Sequence, residues 1–137
     1  MSSEDQIHYI RFEANEHLSG VLALCEAEGW EIPNLTADRA LESFLAPGVC
    51  TMIAVHEGNV VGFAKMQSDG VLQAHLSVMA VDVRFRKGGI GKRLVQEALS
   101  RCGGERVDLL SAEDSRFFYE SFPHKVRSGY RIYPGEG

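Results

Sequence analysis

The sequence predicts a mixed α/β domain in which helices flank one central sheet of antiparallel and parallel strands. Three apolar segments between residues 50 and 83 are separated only by turn residues, which is typical of consecutive antiparallel strands. The last segment leads through a glycine-rich turn into an apolar-periodic segment and a further short strand, the order of a βαβ crossover. We expect one domain over residues 1–137, since this length suffices for one core.

The first part of the chain predicts one strand and two helices. A weakly alternating segment comes first, and apolar residues then recur at helical spacing in two segments divided by Pro33. Asn15 and Thr36 are the expected N-caps of the two helices. The expected elements are a strand at residues 8–12 and helices at residues 17–30 and 36–46.

The remaining chain predicts further strands and two more helices. Gly58 and Gly70 mark the turns between the antiparallel strands, and Asp114 is the expected N-cap of the last helix. The expected strands are residues 50–56, 60–67, 71–83 and 106–111, with one or two short strands within 124–133, and the expected helices are residues 91–101 and 115–122.

Residues 81–94, VDVRFRKGGIGKRL, hold the most informative motif of the chain. Arg86, Gly89 and Gly91 have the spacing R-x-x-G-x-G, and Gly88 adds a third glycine. Glycine permits positive φ and lets a ligand approach the backbone closely. Because the turn opens a helix, its unpaired N–H groups and the positive helix end form an anion site, which basic residues surround. The predicted ligand is a phosphate or pyrophosphate.

Two other phosphate-binding motifs do not fit this turn. A mononucleotide loop requires Ser or Thr after Gly-Lys, but Arg93 follows Lys92. A dinucleotide loop, G-x-G-x-x-G, would need a third glycine at position 94, which is Leu94. A plain tight turn at a helix N-terminus remains an alternative.

The same stretch resembles the acyl-CoA loop of the GNAT superfamily, the acetyl-CoA-dependent N-acyltransferases, whose motif is R/Q-x-x-G-x-G/A after a hydrophobic strand. The predicted element order is similar to that of the family. The resemblance therefore implies a mixed central sheet that splays open in the middle, and acetyl-CoA as cofactor with CoA as product. The family's last strand pair is normally longer, so we expect the terminal sheet to be trimmed or to be completed by a second subunit in a homodimer.

The resemblance assigns the acetyl-CoA contacts to the strand and to the turn. Met79, Val81 and Val83 would lie where the exposed backbone pairs with the pantetheine arm, although their side chains also suit a core strand. Family members often have proline at the position of Val83. The expected cofactor-binding residues are Val81, Val83, Arg86, Lys87, Gly88, Gly89, Ile90, Gly91, Lys92, Arg93 and Ser115.

Two catalytic residues follow from the same resemblance. Tyr119, in the stretch RFFYE, would protonate the leaving thiolate, and a phenol is protonated at neutral pH as this role requires. His75 would accept the proton of the amine, since strand alternation places it on one face with Met79 and Val81. Asp82 is a weaker rival as base. The alternatives to these catalytic roles are that Tyr119 is a packed core residue and that His75 is a half-buried structural residue.

The sequence defines the acceptor site less well than the acetyl-CoA site. The family lines it with the first helices and their connecting loop. Acidic and aromatic residues there could hold a cationic amine, although a solvated helix end is the simpler explanation for each single one of them. These residues are Glu26, Glu28, Trp30, Glu31 and Asp38.

Composition limits the class of protein. The 14 Lys and Arg residues against 19 Asp and Glu residues give a net charge of −5, which offers no support for nucleic-acid binding. Three widely spaced cysteines show neither metal-ligand spacing nor a disulfide framework, which suits the cytoplasm. The N-terminus lacks the features of a signal peptide, and no apolar run has the length of a membrane span.

The expected function is acetyl transfer from acetyl-CoA to a primary amine of a small molecule or peptide by direct attack, without a metal. A cysteine-based covalent route has no support, because no cysteine has a basic neighbour in sequence. Two rivals remain. One is a non-catalytic acyl-CoA-binding or regulatory module on the same fold, and the other is a nucleotide-phosphate-binding domain.

Overall fold

A five-stranded sheet forms the centre of the computed structural model, which describes residues 6–29, 36–112 and 115–135. The strands are β1 (His8–Arg11), β2 (Val49–His56), β3 (Asn59–Ser68), β4 (Gln73–Val81) and β5 (Arg106–Asp108). The helices are α1 (Ala14–Ala27), α2 (Ala37–Phe44), α3 (Ile90–Cys102) and α4 (Arg116–Glu120), and a 3-10 turn, Val83–Phe85, follows β4. The predicted mixed α/β class is confirmed.

The strands follow one another across the sheet in the order β1-β2-β3-β4-β5. The first four are antiparallel, and β5 pairs parallel to β4 after the crossover through α3. The core beneath α1 and α2 includes Val21, Ile53 and Phe63. A second core beneath α3 and α4 includes Met52 and Leu94. Both faces of the sheet are therefore covered by helices.

The first helix begins earlier than its sequence pattern predicts. Its N-cap is Glu13 rather than Asn15, which lies within the helix. The buried His17 side chain explains this start, because its Nδ1 accepts a hydrogen bond from the Glu13 N–H at 2.8 Å. The predicted cap of α2 is confirmed, since Thr36 Oγ1 accepts the N–H of Arg39 at 3.2 Å.

A β-bulge in β4 changes which face each side chain occupies. Lys65 of β3 pairs with Val78, but the next residue of β3 pairs with Leu76, which leaves Ser77 as an extra residue in β4. Leu76 and Met79 consequently both contact the core beneath α3, although they are three residues apart.

The bulge overturns one prediction. His75 precedes Leu76 and so lies on the opposite face, towards α1 and α2, whereas Met79 and Val81 contact the core beneath α3. The prediction that these three residues share a face is wrong, because a bulge shifts the two-residue alternation by one position.

The C-terminal segment forms no strand within its described part, residues 121–135. The strands expected within residues 124–133 are therefore absent there. Tyr130 and Ile132 are 85% and 86% exposed. An alternating apolar pattern forms a strand only when a neighbouring strand edge pairs with it, and this segment does not pair with the sheet.

The structure links Cys50 of β2 to Cys102, the last residue of α3, in a disulfide. The expectation that the chain has no disulfide is wrong. The two cysteines are 52 residues apart, and only the packing of α3 on the sheet brings them together. A cross-link over this separation restricts the unfolded chain and stabilises the fold by roughly 4 kcal/mol. The third cysteine, Cys25, is a buried thiol whose pKa is raised by burial.

Among the described residues, no helix combines the length and the apolar composition needed to cross a membrane.

Candidate active site

The sheet opens between β4 and β5. Parallel pairing joins them only over Gln73–His75 and Arg106–Asp108, and the rest of β4 continues without β5 beside it. The Asp82 N–H donates to the Val61 carbonyl of β3 at 2.8 Å. Backbone N–H and C=O groups alternate in direction along a strand, so every second residue before Asp82 in β4 also directs these groups towards β3. Met79 and Val81 therefore direct theirs into the opening, as the sequence prediction requires of a strand that pairs with an extended ligand.

The glycine turn has the backbone shape of an anion site. Lys87 and Gly89 have positive φ values of 68° and 86°, and Gly89 is the N-cap of α3. The first intrahelical bond runs from the Arg93 N–H to the Gly89 carbonyl at 3.0 Å. The N–H groups of Ile90, Gly91 and Lys92 in the first turn thus have no partner within the helix. They point out of the turn at the positive end of the helix dipole.

Helix α4 packs directly against this turn. A Cβ placed on Gly91 would lie 3.2 Å from two ring atoms of Phe118 and 3.7 Å from the Cε of Met79. Lys92 Nζ lies 5.3 Å from the centroid of the Phe122 ring. The absence of a side chain at Gly91 therefore allows α4, α3 and β4 to meet at one point.

Tyr119 is carried to the same place by α4. Its side chain is half-buried in the core beneath α3, and its ring centroid lies 4.9 Å from that of Phe118. Burial raises the pKa of the Tyr119 phenol above its ordinary value. The hydroxyl therefore stays protonated at neutral pH. Ser115, the N-cap of α4, is half-buried, and its N–H donates to the Ala112 carbonyl at 3.0 Å.

Between positions 86 and 93 the chain has four basic residues, and two of them, Arg86 and Arg93, are already engaged. Arg86 Nε donates to the Val81 carbonyl at 3.0 Å, and Arg86 Nη2 forms an ion pair with Glu28 at the C-terminal end of α1. Arg93 donates to Glu97 at 2.8 Å, and its guanidinium lies 5.1 Å from the Tyr9 ring centroid on the far edge of the sheet.

The remaining two basic residues, Lys87 and Lys92, are exposed at the turn itself, as are Gly88 and Gly89. Val83 is also exposed, in the 3-10 turn that follows β4. The positive charge offered to a ligand at the loop therefore comes mainly from the two lysines and from the backbone N–H groups.

The two sequence-predicted bases differ in their surroundings. His75 is exposed at the point where β4 last pairs with β5, on the side of the sheet covered by α1 and α2. Asp82 Oδ1 accepts hydrogen bonds from both the backbone and the side chain of Arg84, which lower the pKa of the Asp82 carboxyl. Asp82 is therefore a weak base, whereas the His75 ring forms no hydrogen bond or ion pair with another described residue.

The described acidic residues predicted for the acceptor site are either ion-paired or exposed. Glu28 is paired with Arg86, and Glu26 and Asp38 are exposed. Trp30 and Glu31 lie outside the described residues. Within the part of the chain that the structure describes, no group of acidic, cysteine and histidine side chains could hold a metal ion.

An open cleft of about 510 Å³ lies on the other side of the end of β4, away from β5. It is bounded by α1 and by the turn between β2 and β3, and Asp82 and Phe85 line it. It does not include the opening between β4 and β5, the glycine turn or Tyr119. The sequence motif gives no indication of this cleft.

A family sequence model described as "Acetyltransferase (GNAT) domain" matches residues 7–129. The chain belongs to this family. GNAT acetyltransferases transfer an acetyl group from acetyl-CoA. No curated protein matches the chain.

Solved structures share the fold over nearly the whole chain. A proposed acetyltransferase from Deinococcus radiodurans R1 is 25% identical, with a TM-score of 0.76 over 98% of this chain and 92% of that one. A GNAT family acetyltransferase from Streptococcus pneumoniae TIGR4 is 24% identical, with a TM-score of 0.75 over 96% and 100%. The aminoglycoside N-acetyltransferase AAC(6')-Iy, solved with CoA, is 17% identical, with a TM-score of 0.71 over 94% and 95%.

The two adjacent glycines of the turn should differ in their tolerance of a side chain. Gly89→Ala places a Cβ at a φ of 86°, which costs about 1–2 kcal/mol. We expect acetyl-CoA affinity to fall roughly ten-fold, measured by calorimetric titration. Gly88→Ala is the matched control, because its φ is not positive and its nearest neighbour would lie 3.7 Å away. Equal affinity of the two variants would contradict this account of the turn.

Proposed function

We propose that this protein is an N-acetyltransferase that moves the acetyl group of acetyl-CoA to a primary amine of a small molecule or peptide. The observation that carries the proposal is the meeting of three features at one point: the free edge of β4, the first turn of α3 and the aromatic face of α4. The first two suit an extended chain that ends in a pyrophosphate, and the third brings Tyr119 beside them.

The residues of this chain fit acetyl-CoA in the following way. The backbone groups of Met79 and the N–H of Val81 would hold the pantetheine amides, since the Val81 carbonyl already accepts from Arg86, and the turn from Lys87 to Lys92 would hold the pyrophosphate. Val83, Arg86, Arg93 and Ser115 complete the predicted set. Acetyl-CoA supplies an activated thioester carbonyl, whose carbon the amine attacks directly. A backbone N–H at the edge of β4 would stabilise negative charge on the thioester oxygen.

We assign the two proton transfers to Tyr119 and His75. Attack forms a C–N bond and breaks the C–S bond, so the thiolate must gain a proton and the amine must lose one. The raised pKa of Tyr119 suits the donor, because the phenol stays protonated through neutral and moderately alkaline pH. His75 would take the proton of the amine through a water molecule, since its face of the sheet differs from that of Met79 and Val81.

A non-catalytic acyl-CoA-binding module is the second candidate. The separation of His75 from the face of Met79 and Val81 favours it, and so does the engagement of Asp82 by Arg84. This alternative retains acetyl-CoA binding but predicts no turnover with any amine.

We place the reaction in the cytoplasm, because it consumes acetyl-CoA, a metabolite made and used inside cells. The reducing systems of that compartment would tend to reduce the disulfide between Cys50 and Cys102 to two thiols.

Tyr119→Phe should lower kcat and leave acetyl-CoA affinity nearly unchanged. The substitution removes only the hydroxyl, and a positioned proton donor contributes roughly 10²-fold or more to the rate. Steady-state kinetics and calorimetric titration measure the two effects. The Tyr130→Phe variant is the matched control, since Tyr130 is 85% exposed and lies outside the site. An unchanged kcat in Tyr119→Phe would exclude the hydroxyl as the acid.

His75→Gln should lower kcat/KM for an amine acceptor most strongly near pH 7–8, where the amine is mostly protonated and a neutral imidazole can still accept its proton. The loss should shrink by pH 9, because more of the amine is then already neutral. The pH profile of kcat/KM for the two enzymes measures this. His124→Gln changes an exposed histidine in the C-terminal segment and controls for the loss of a ring. A uniform loss at every pH would assign His75 a structural role.

We also propose that two copies of the chain form a homodimer through the C-terminal segment. Val126, Tyr130 and Ile132 alternate with basic residues in the pattern of a half-buried strand, and all three are more than three-quarters exposed. A second copy would cover these side chains. Sedimentation velocity at micromolar concentration should show a dimer, and a monomer at that concentration would overturn the proposal.

A further inference from the structure

Lys65 is a half-buried cation on the side of the sheet covered by α1 and α2. It lies in β3, directly between Thr51 of β2 and Val78 of β4. Its Nζ donates to Ser43 Oγ at 2.6 Å and lies 5.9 Å from the centroid of the Phe44 ring. Both of these neighbours belong to α2.

No acidic side chain forms an ion pair with Lys65 within the described part of the chain. The hydrogen-bond partner of Lys65 is a hydroxyl. Burial lowers the pKa of the Lys65 amine, which reflects the cost of holding this charge away from water. A partly desolvated cation is normally compensated by an anion, and no described residue supplies an anion to Lys65.

The neighbouring strand supplies a second, independent sign of an incomplete polar site. Thr51, directly opposite Lys65, is 4% exposed, and its Oγ1 has no hydrogen-bond partner among the described residues. Buried hydroxyls in folded proteins are nearly always hydrogen-bonded. The unsatisfied hydroxyl and the uncompensated ammonium thus come from adjacent strands, and Lys65 lies directly beside the β-bulge of β4.

Lys65 lies on the side of the sheet from which an acceptor would reach the opening. Helices α3 and α4 occupy one side of the opening, so an acceptor approaches from the other side, where Gln67 and His75 are exposed. Gln67 pairs with His75, and Lys65 follows on the same face, opposite Val78. Because adjacent strands lie about 4.8 Å apart, a lysine in β3 is within roughly 10 Å of the free edge of β4.

We propose that Lys65 binds an anionic group of the acceptor, a carboxylate or a phosphate, so that the amine substrate carries a negative charge. This inference rests on the proposed function and narrows its substrate class. It replaces the expectation that acidic side chains hold a cationic amine. Of those side chains, Glu28 is paired with Arg86, while Lys65 has no anionic partner among the described residues.

The test compares amines that differ only in the anionic group. L-phenylalanine and L-phenylalaninamide form the carboxylate pair, and O-phosphoethanolamine and ethanolamine form the phosphate pair. We expect the wild-type enzyme to show a KM at least ten-fold lower for the charged member of one pair, which also identifies the source of the anion. Lys65→Met should abolish this preference and leave kcat nearly unchanged, and Lys65→Arg should restore most of it.

Lys125→Met is the matched control, because it makes the same change in net charge at an exposed lysine of the C-terminal segment. It should retain the preference. A wild-type preference for the uncharged member of both pairs, or acetylation of neither pair, overturns the inference. An equal rise in KM for both members of a pair in Lys65→Met assigns the residue a purely structural role and also overturns it. A separate measurement tests the proposed function, which fails if acetyl-CoA does not raise the unfolding temperature of the wild-type protein.

Discussion

The early separation of β5 from β4 is the constraint on which the site depends. Three residue pairs join the two strands, and the backbone of Met79 and Val81 then faces an opening instead of a neighbouring strand. An unpaired strand edge attracts any extended chain that can supply donors and acceptors. In this protein the edge leads directly to the first turn of α3, so one extended ligand can use both. Phe118 packs against Gly91, where no Cβ intervenes, and so brings α4 beside the start of α3.

The contacts of Arg86 tie the turn to the rest of the domain. Its side chain joins the Val81 carbonyl at the end of β4 to Glu28 at the end of α1. The first residue of the R-x-x-G-x-G spacing thus fixes the position of the turn relative to the sheet, and the lysines and the backbone carry the charge offered to the ligand. The same ion pair therefore joins the glycine turn to the end of α1.

Features that depend on local sequence could be predicted, and features that depend on distant pairing could not. The strand, glycine turn and helix around Gly89 follow from apolar periodicity and from the φ freedom of glycine, which neighbouring residues determine. Ser77, the extra residue of the bulge, has no compositional signature, so the face of His75 was predicted incorrectly. Cys50 and Cys102 are joined only through the packing of α3 on the sheet. Lys65 could not be predicted as a binding residue, because a single lysine in an apolar strand indicates no function until its neighbours are known.

The most direct test of the central claim is thermal unfolding with acetyl-CoA, CoA and ATP, each at about a hundred times a micromolar dissociation constant. Binding to the native state at that ratio contributes roughly 2.7 kcal/mol, which raises the unfolding temperature of a domain of this size by roughly 5 to 10 °C. The account predicts this rise with acetyl-CoA and CoA and a much smaller one with ATP. No rise with either CoA compound would mean that the turn from Gly88 to Gly91 is only a turn, and a larger rise with ATP would indicate a nucleotide site instead.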